Sequence, residues 1–88
     1  MIPVKVESLS GFKADEYPVS FYWLDVKFEI SEISDRWYQA STNEQVPVAN
    51  YFKVRTTGKQ EFILKHEIQS DQWFIVRPKD DLFSYLLN

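Results

Sequence analysis

YFKVRTTGKQEFILKHEIQSDQWFIVR, residues 51–77, decides the fold. The stretch reads as three antiparallel strands joined by two tight turns. Apolar and polar residues alternate along each strand, the period-2 signature of a sheet with one buried face. A three-residue loop from Thr57 to Lys59, with Gly58 available for a positive φ, sets Val54 opposite Phe62 and Phe52 opposite Leu64. The same register sets Arg55 opposite Glu61, an opposite-charge pair on the other face. A two-residue loop would turn one strand's apolar set outward. A second turn around Ile68, Gln69 and Ser70 places Leu64 opposite Phe74 and Phe62 opposite Val76. The predicted core face is Phe52, Val54, Phe62, Leu64, Phe74 and Val76. The predicted outer face is Tyr51, Lys53, Arg55, Ile63, Lys65, Trp73 and Ile75.

The rest of the chain supplies strands to close against this meander. Pro3 to Leu9 alternates, with Val4 and Val6 on one side, and Pro3 sits at a strand start, where its missing N–H costs little. Pro18 holds Tyr17 extended, and Val19, Phe21 and Trp23 share a face of a second strand. Leu24-Asp25 connects it to Val26–Ile30, the cleanest alternation in the chain, with charges Lys27 and Glu29 outward. Beyond it, residues 31–33 continue or bend the strand through a bulge, a short helix over 31–37 being the competing reading, and Arg36-Trp37-Tyr38 starts another strand. Residues 39–50, QASTNEQVPVAN, form a polar, mobile loop. Pro78 stops the last strand. Asp80 caps a helical turn over 80–87, whose Leu82, Phe83, Leu86 and Leu87 make one apolar stripe that must dock to be stable. The expected architecture is mainly β: a small, strongly bent antiparallel sheet or SH3-like partly open barrel with a short C-terminal helix.

Composition narrows the class. The 88 residues make one domain, burying roughly 60–65% of the surface of the unfolded chain. Seven Phe, five Tyr and three Trp can fill a small core. With no cysteine, neither disulfides nor thiolate metal sites arise. The first ten residues lack a basic start and an apolar run of signal-peptide length, and no run reaches the length of a membrane helix, so the expected compartment is the cytoplasm and the membrane is not an expected partner. Net charge is −3, with no global attraction to nucleic acid. The two glycines, Gly11 and Gly58, cannot build a phosphate-cradling loop.

Three groupings carry chemistry. Tyr51, Lys53, Arg55, Lys65 and Trp73 interleave cations with rings on one sheet face, the composition of single-stranded nucleic acid platforms. The plainer reading is a covered face whose charges pair with neighbours such as Glu61, and the acidic net charge favours it. His66 with Glu67 and Asp71 flanks a turn. A metal site needs three or four convergent donors, and the lone histidine has no second cluster, so a structural role is expected and no metal or other cofactor. Arg36-Trp37-Tyr38 has the composition of a binding hot spot, although a strand-end Trp more often plugs a small core. The carboxylates Asp15, Glu16, Asp25, Glu29, Glu32, Asp35 and Glu44 form no recognisable acid–base couple, and Ser8, Ser10 and Ser20 lack a nucleophile-elbow context. No enzymatic activity is expected.

The segments SGFKADEYPVSF, FEISEISDRW, YFKVRTTGKQEFILKHE and QWFIVR resemble a small bacterial domain family of unknown function. Similar segments are appended to catalytically inactive Y-family polymerase paralogues of bacterial mutasomes. Leu24-Asp25 departs from that family's pattern, where a glycine turn is expected, as does the apolar C-terminal tail. The resemblance implies an accessory domain linked to nucleic acid metabolism or DNA repair and brings no catalytic residue with it. The expected function is therefore a non-enzymatic binding or adaptor domain using Tyr51, Lys53, Arg55, Lys65 and Trp73, with nucleic acid or a DNA-repair protein as partner. The alternative is a protein-interaction or self-associating domain, a homodimer included, using Ile63, Ile75 and Leu86.

Overall fold

The computed structural model describes residues 1–10, 16–40 and 47–76. They form β1 (Ile2–Ser10), β2 (Glu16–Trp23), β3 (Val26–Gln39), β4 (Ala49–Thr56), β5 (Glu61–Glu67) and β6 (Gln72–Ile75). Each strand pairs with the next in antiparallel fashion, and β6 returns to β1, so the sheet closes into a six-stranded barrel. Closure removes the long free edge that an open sheet would present. Residues 31–33 continue the strand through a bulge, and Arg36-Trp37-Tyr38 extends β3 rather than starting another strand. No helix, over 31–37 or elsewhere, occurs among the described residues. The predicted helical turn over 80–87, with Leu86, lies outside them, as does the middle of the predicted loop over 39–50. The ends of that loop are strand: Gln39 pairs with Ala49 and Tyr38 with Asn50.

Two long strands turn the corners of the barrel. β1 pairs with β6 through Ile2, Pro3 and Val4, then with β2 from Lys5 to Ser10. The 14-residue β3 pairs with β2 at Val26–Glu29 and with β4 from Ile30 to Gln39. Its bends sit at Ser31 and Ser34, where the register slips by one residue each time. An extra residue leaves ladder carbonyls without partners, and the serine side chains fill in. Ser31 Oγ donates to the Arg55 and Thr56 carbonyls at 3.1 and 3.2 Å, and Ser34 Oγ to the Lys53 carbonyl at 3.2 Å. A third slip makes Val19 the unpaired residue of a β2 bulge, and Val19 is only half-buried.

The turns explain one success and one correction. The β4–β5 register is as read from the sequence, including Val54 opposite Phe62, Phe52 opposite Leu64 and Arg55 opposite Glu61. The positive φ falls on Lys59 at 65°, however, not on Gly58. The β5–β6 turn holds four residues, Ile68–Asp71, with Asp71 at φ 53°. That one extra residue moves Leu64 opposite Ile75 and His66 opposite Trp73. The inward and outward sets of β6 therefore exchange: Trp73 and Ile75 face the core, whereas Phe74 and Val76, predicted inward, do not.

The barrel interior is Phe21, Phe52, Val54, Leu64, Trp73 and Ile75, with Ile2, Val4, Val6, Tyr17, Trp23, Phe28, Ile30, Ile33 and Phe62 packed around them. Phe21, Phe28 and Phe62 pack with centroids 5.1–5.5 Å apart in stacked and edge-on pairs, each adding about 0.5–1.5 kcal/mol beyond area burial. A separate cluster, Ala49, Tyr51, Ile63 and Val76 with Trp37 against it, is also buried.

Candidate functional site: the cleft between β1 and β6

β1 pairs with β6 only as far as Val4 and with β2 from Lys5 onward. The two strands splay there, and a cleft of about 390 Å³ opens between them. Val4, Val6, Trp73 and Phe74 line it together with polar residues that include Lys5; Glu16 and Asp71 bring carboxylates to it. Each acid arrives by a different route. Glu16 is the first residue of β2 and pairs with Ser10. Asp71 closes the β5–β6 turn in a left-handed conformation, which aspartate tolerates better than most residues.

Behind the cleft stands His66. Its β5 position puts it on the inner face, where its ring stacks on Trp73 at 4.1 Å and 7°. Only 5% of the residue is exposed. A buried imidazole needs a partner, and His66 Nε2 lies 2.8 Å from Asp71 Oδ1. Glu16 completes the group: one ligand atom from each of Glu16, His66 and Asp71 lies within 4.8 Å of the other two. The Ser8 hydroxyl donates to Glu16 Oε2 and orients the carboxylate. Glu67, paired with His66 in the sequence reading, points to the other side of the sheet and bonds Lys65 at 3.3 Å.

The sequence missed Glu16 because the convergence is made by barrel closure. His66 and Asp71 flank one turn and were legible as a pair. Glu16 reaches them only once β1 pairs with β6 on one side and β2 on the other. The polar and charged residues just before Pro18 were the available hint, and nothing local tied them to His66.

The predicted nucleic acid face loses Trp73 and is partly covered, while Tyr51, Lys53, Arg55 and Lys65 stay on one side of β4 and β5. Trp73 is inside the barrel. Tyr51 is fully buried, its ring stacked on Trp37 at 5.5 Å and 2°, its hydroxyl donating to Gln39 Oε1 at 2.7 Å. Burial, reinforced by the charge of Glu67, pushes its phenol up to about 12. Lys65 is buried with its ammonium 5.9 Å from the Tyr51 ring. Lys53 is half-buried, and Arg55 pairs with Glu61 at 3.0 Å. The predicted interface is altered too: Ile75 faces the core, and Ile63 lies in the second buried cluster. Trp37 plugs that cluster rather than the barrel, while Arg36 packs 4.9 Å over the Phe52 ring and Tyr38 is exposed.

Another cation–ring grouping lies on the outer face of β1–β2–β3, where Tyr22 sits between Lys5 at 6.0 Å and Lys27 at 5.9 Å. Lys27 is engaged by Glu7 at 3.2 Å, which raises its pKa. The Ser20 hydroxyl and then Lys27 hold the Glu7 carboxyl below the usual range. A second cleft of about 410 Å³, between β3 and the β4–β5 turn, is lined by Lys27 and Glu29 with neutral residues and gathers no donor cluster. No helix among the described residues is long and apolar enough to cross a membrane. No protein-family model, curated protein or solved structure matches the chain.

Proposed function

We propose that this protein is a non-enzymatic binding module whose β1–β6 cleft receives a positively charged group. The observation that carries this reading is the convergence of Glu16, His66 and Asp71 beside a partly apolar cleft that Glu16 and Asp71 line. Convergent polar groups in a concave, partly apolar site are the usual form of a ligand site. Two carboxylates there, against the one lysine Lys5, favour a cation over a phosphate. The nearest hydroxyl, Ser8, donates to Glu16 and not to His66, so no serine–histidine pair is assembled among these residues, which favours binding over catalysis.

Under this reading a link to DNA repair, implied by the family resemblance, runs through a protein partner rather than through bases. Nucleic acid would need exposed rings beside free cations, and Tyr51, Lys65 and Trp73 are buried. Self-association draws no support from Ile63 or Ile75, each 5% exposed. The test is an amide-resolved NMR titration with methylguanidinium and, separately, a short oligothymidylate. Methylguanidinium is expected to shift amides from Val4 to Ser8 and from Asp71 to Phe74, and Asp71→Lys to abolish the effect. Oligothymidylate binding on the outer face of β4 and β5, weakening steeply with salt, would replace this reading with the nucleic acid one.

A further inference from the structure

We infer that Glu16, His66 and Asp71 form a binding site for one divalent first-row transition-metal ion, with zinc the best-matched ion. The inference rests on the cleft reading above and names its cation. Two ligands of one ion at about 2.1 Å stand roughly 3.0–3.4 Å apart, depending on whether the geometry is octahedral or tetrahedral. His66 Nε2 and Asp71 Oδ1, now 2.8 Å apart, need to open by a few tenths of an ångström. The Glu16 oxygen, within 4.8 Å of both, needs to close by an ångström or so, within reach of its own side-chain rotations.

The three groups have the mobility such a site requires. His66 is the fixed point, held between burial and the Trp73 ring, so its Nε2 keeps one direction without a metal. Asp71 is the adjustable ligand, with its side chain 75% exposed and its backbone in a turn. Glu16 is oriented by Ser8, the outer-shell hydrogen bond that metal-ligating carboxylates commonly receive. Glu16 and Asp71 line the cleft, which has room for water or for a partner's donor atom beside them. Two carboxylates neutralise the ion's charge, and the metal would take the place of the hydrogen between His66 Nε2 and Asp71 Oδ1, that proton passing to His66 Nδ1 or to solvent.

The donor set selects the metal class. One imidazole nitrogen with two carboxylate oxygens suits zinc, manganese or ferrous iron. Calcium and magnesium prefer oxygen alone, and soft copper(I) wants sulfur, of which the chain has no thiol. The competing account is that the His66–Asp71 hydrogen bond only pins the β5–β6 turn.

Isothermal titration of the untagged, metal-free protein with zinc, with magnesium as comparison, decides between them. The expected result is one zinc ion per chain, no saturable magnesium binding, and a raised melting temperature with zinc. Glu16→Gln and Asp71→Asn should each weaken zinc binding tenfold or more while keeping the folded far-UV spectrum. The absence of stoichiometric zinc binding, or zinc binding that neither variant changes, overturns the inference. Methylguanidinium is titrated into the same samples. If it binds in the cleft and zinc does not, the metal site falls and the cleft reading stands; if neither binds, both fall.

Discussion

Replacing Trp73 and Phe74 separately by alanine tests the register of β6, on which the cleft depends. Trp73 is 7% exposed, stacked on His66 at 4.1 Å and packed 5.7 Å from Phe52. An aromatic side chain offers ~150–250 Å², so at ~25 cal/mol per Å² its burial is worth about 3.5–6 kcal/mol. Compaction of the denatured chain trims this by roughly 10–40%, leaving about 2–5 kcal/mol, which overlaps the range of about 3–5 kcal/mol found when buried aromatic residues are truncated. At roughly 0.05–0.15 kcal/mol per residue, a chain of this size has about 4–13 kcal/mol in total. Trp73→Ala is therefore expected to lose a large part of the stability, and Phe74→Ala, half-buried outside the barrel interior, about 1 kcal/mol. Urea unfolding followed by far-UV circular dichroism measures both, with the midpoints compared at a common slope. Trp73→Phe, expected to cost about 1–2 kcal/mol, keeps the comparison readable should the alanine variant unfold. Phe74→Ala costing more than Trp73→Ala would place β6 one residue out of register and refute the reasoning.

Two further outcomes follow from the structure. Leu24 and Asp25 hold φ values of 53° and 62°, and Leu24 is 76% exposed; a β-branched or long L-residue in this region costs about 1–2 kcal/mol. Leu24→Asn, with Asp25→Gly added, is expected to raise the melting temperature by several degrees, and a decrease in thermal scans would contradict the two-residue turn. The Tyr51 phenol, raised in the folded state to about 12 from 10.0, stays protonated while an unfolded chain would ionise. Its contribution is complete below pH 10 and is lost as pH rises towards 12, since the unfolded state then binds fewer protons. Ultraviolet phenolate titration should show one tyrosine ionising last, and Tyr51→Phe should remove that late step.

The strands were largely legible in the sequence, and the site only in part. Alternation at Val26–Ile30 and the opposed charges Arg55 and Glu61 fixed local pairing because the information lies in neighbouring residues. Turn length is less well encoded. Ile68, Gln69, Ser70 and Asp71 contain no glycine, so nothing local distinguished a three-residue from a four-residue turn, and one residue exchanged Trp73 with Phe74. The bulges at Ser31 and Ser34 were also hidden. Serine suits them because its hydroxyl reaches the freed carbonyls of β4, a role visible only once β4 is beside β3. Glu16 joined His66 by the same kind of long-range closure. The basic and aromatic outer face looked like a platform in sequence because periodicity assigns a face but not what covers it. Tyr51 shows the limit: it is on the predicted side of β4, yet fully buried.

The nitrogen chemical shifts of the His66 ring during zinc titration test the central claim most directly. His66 is the only histidine in the chain, so its imidazole signals need no assignment among competitors. Zinc is expected to move the Nε2 resonance strongly and the Nδ1 resonance little, saturating at one equivalent, and the change should be lost in Asp71→Asn with Glu16→Gln. An Nε2 resonance that zinc leaves unmoved at saturating concentration would contradict the account.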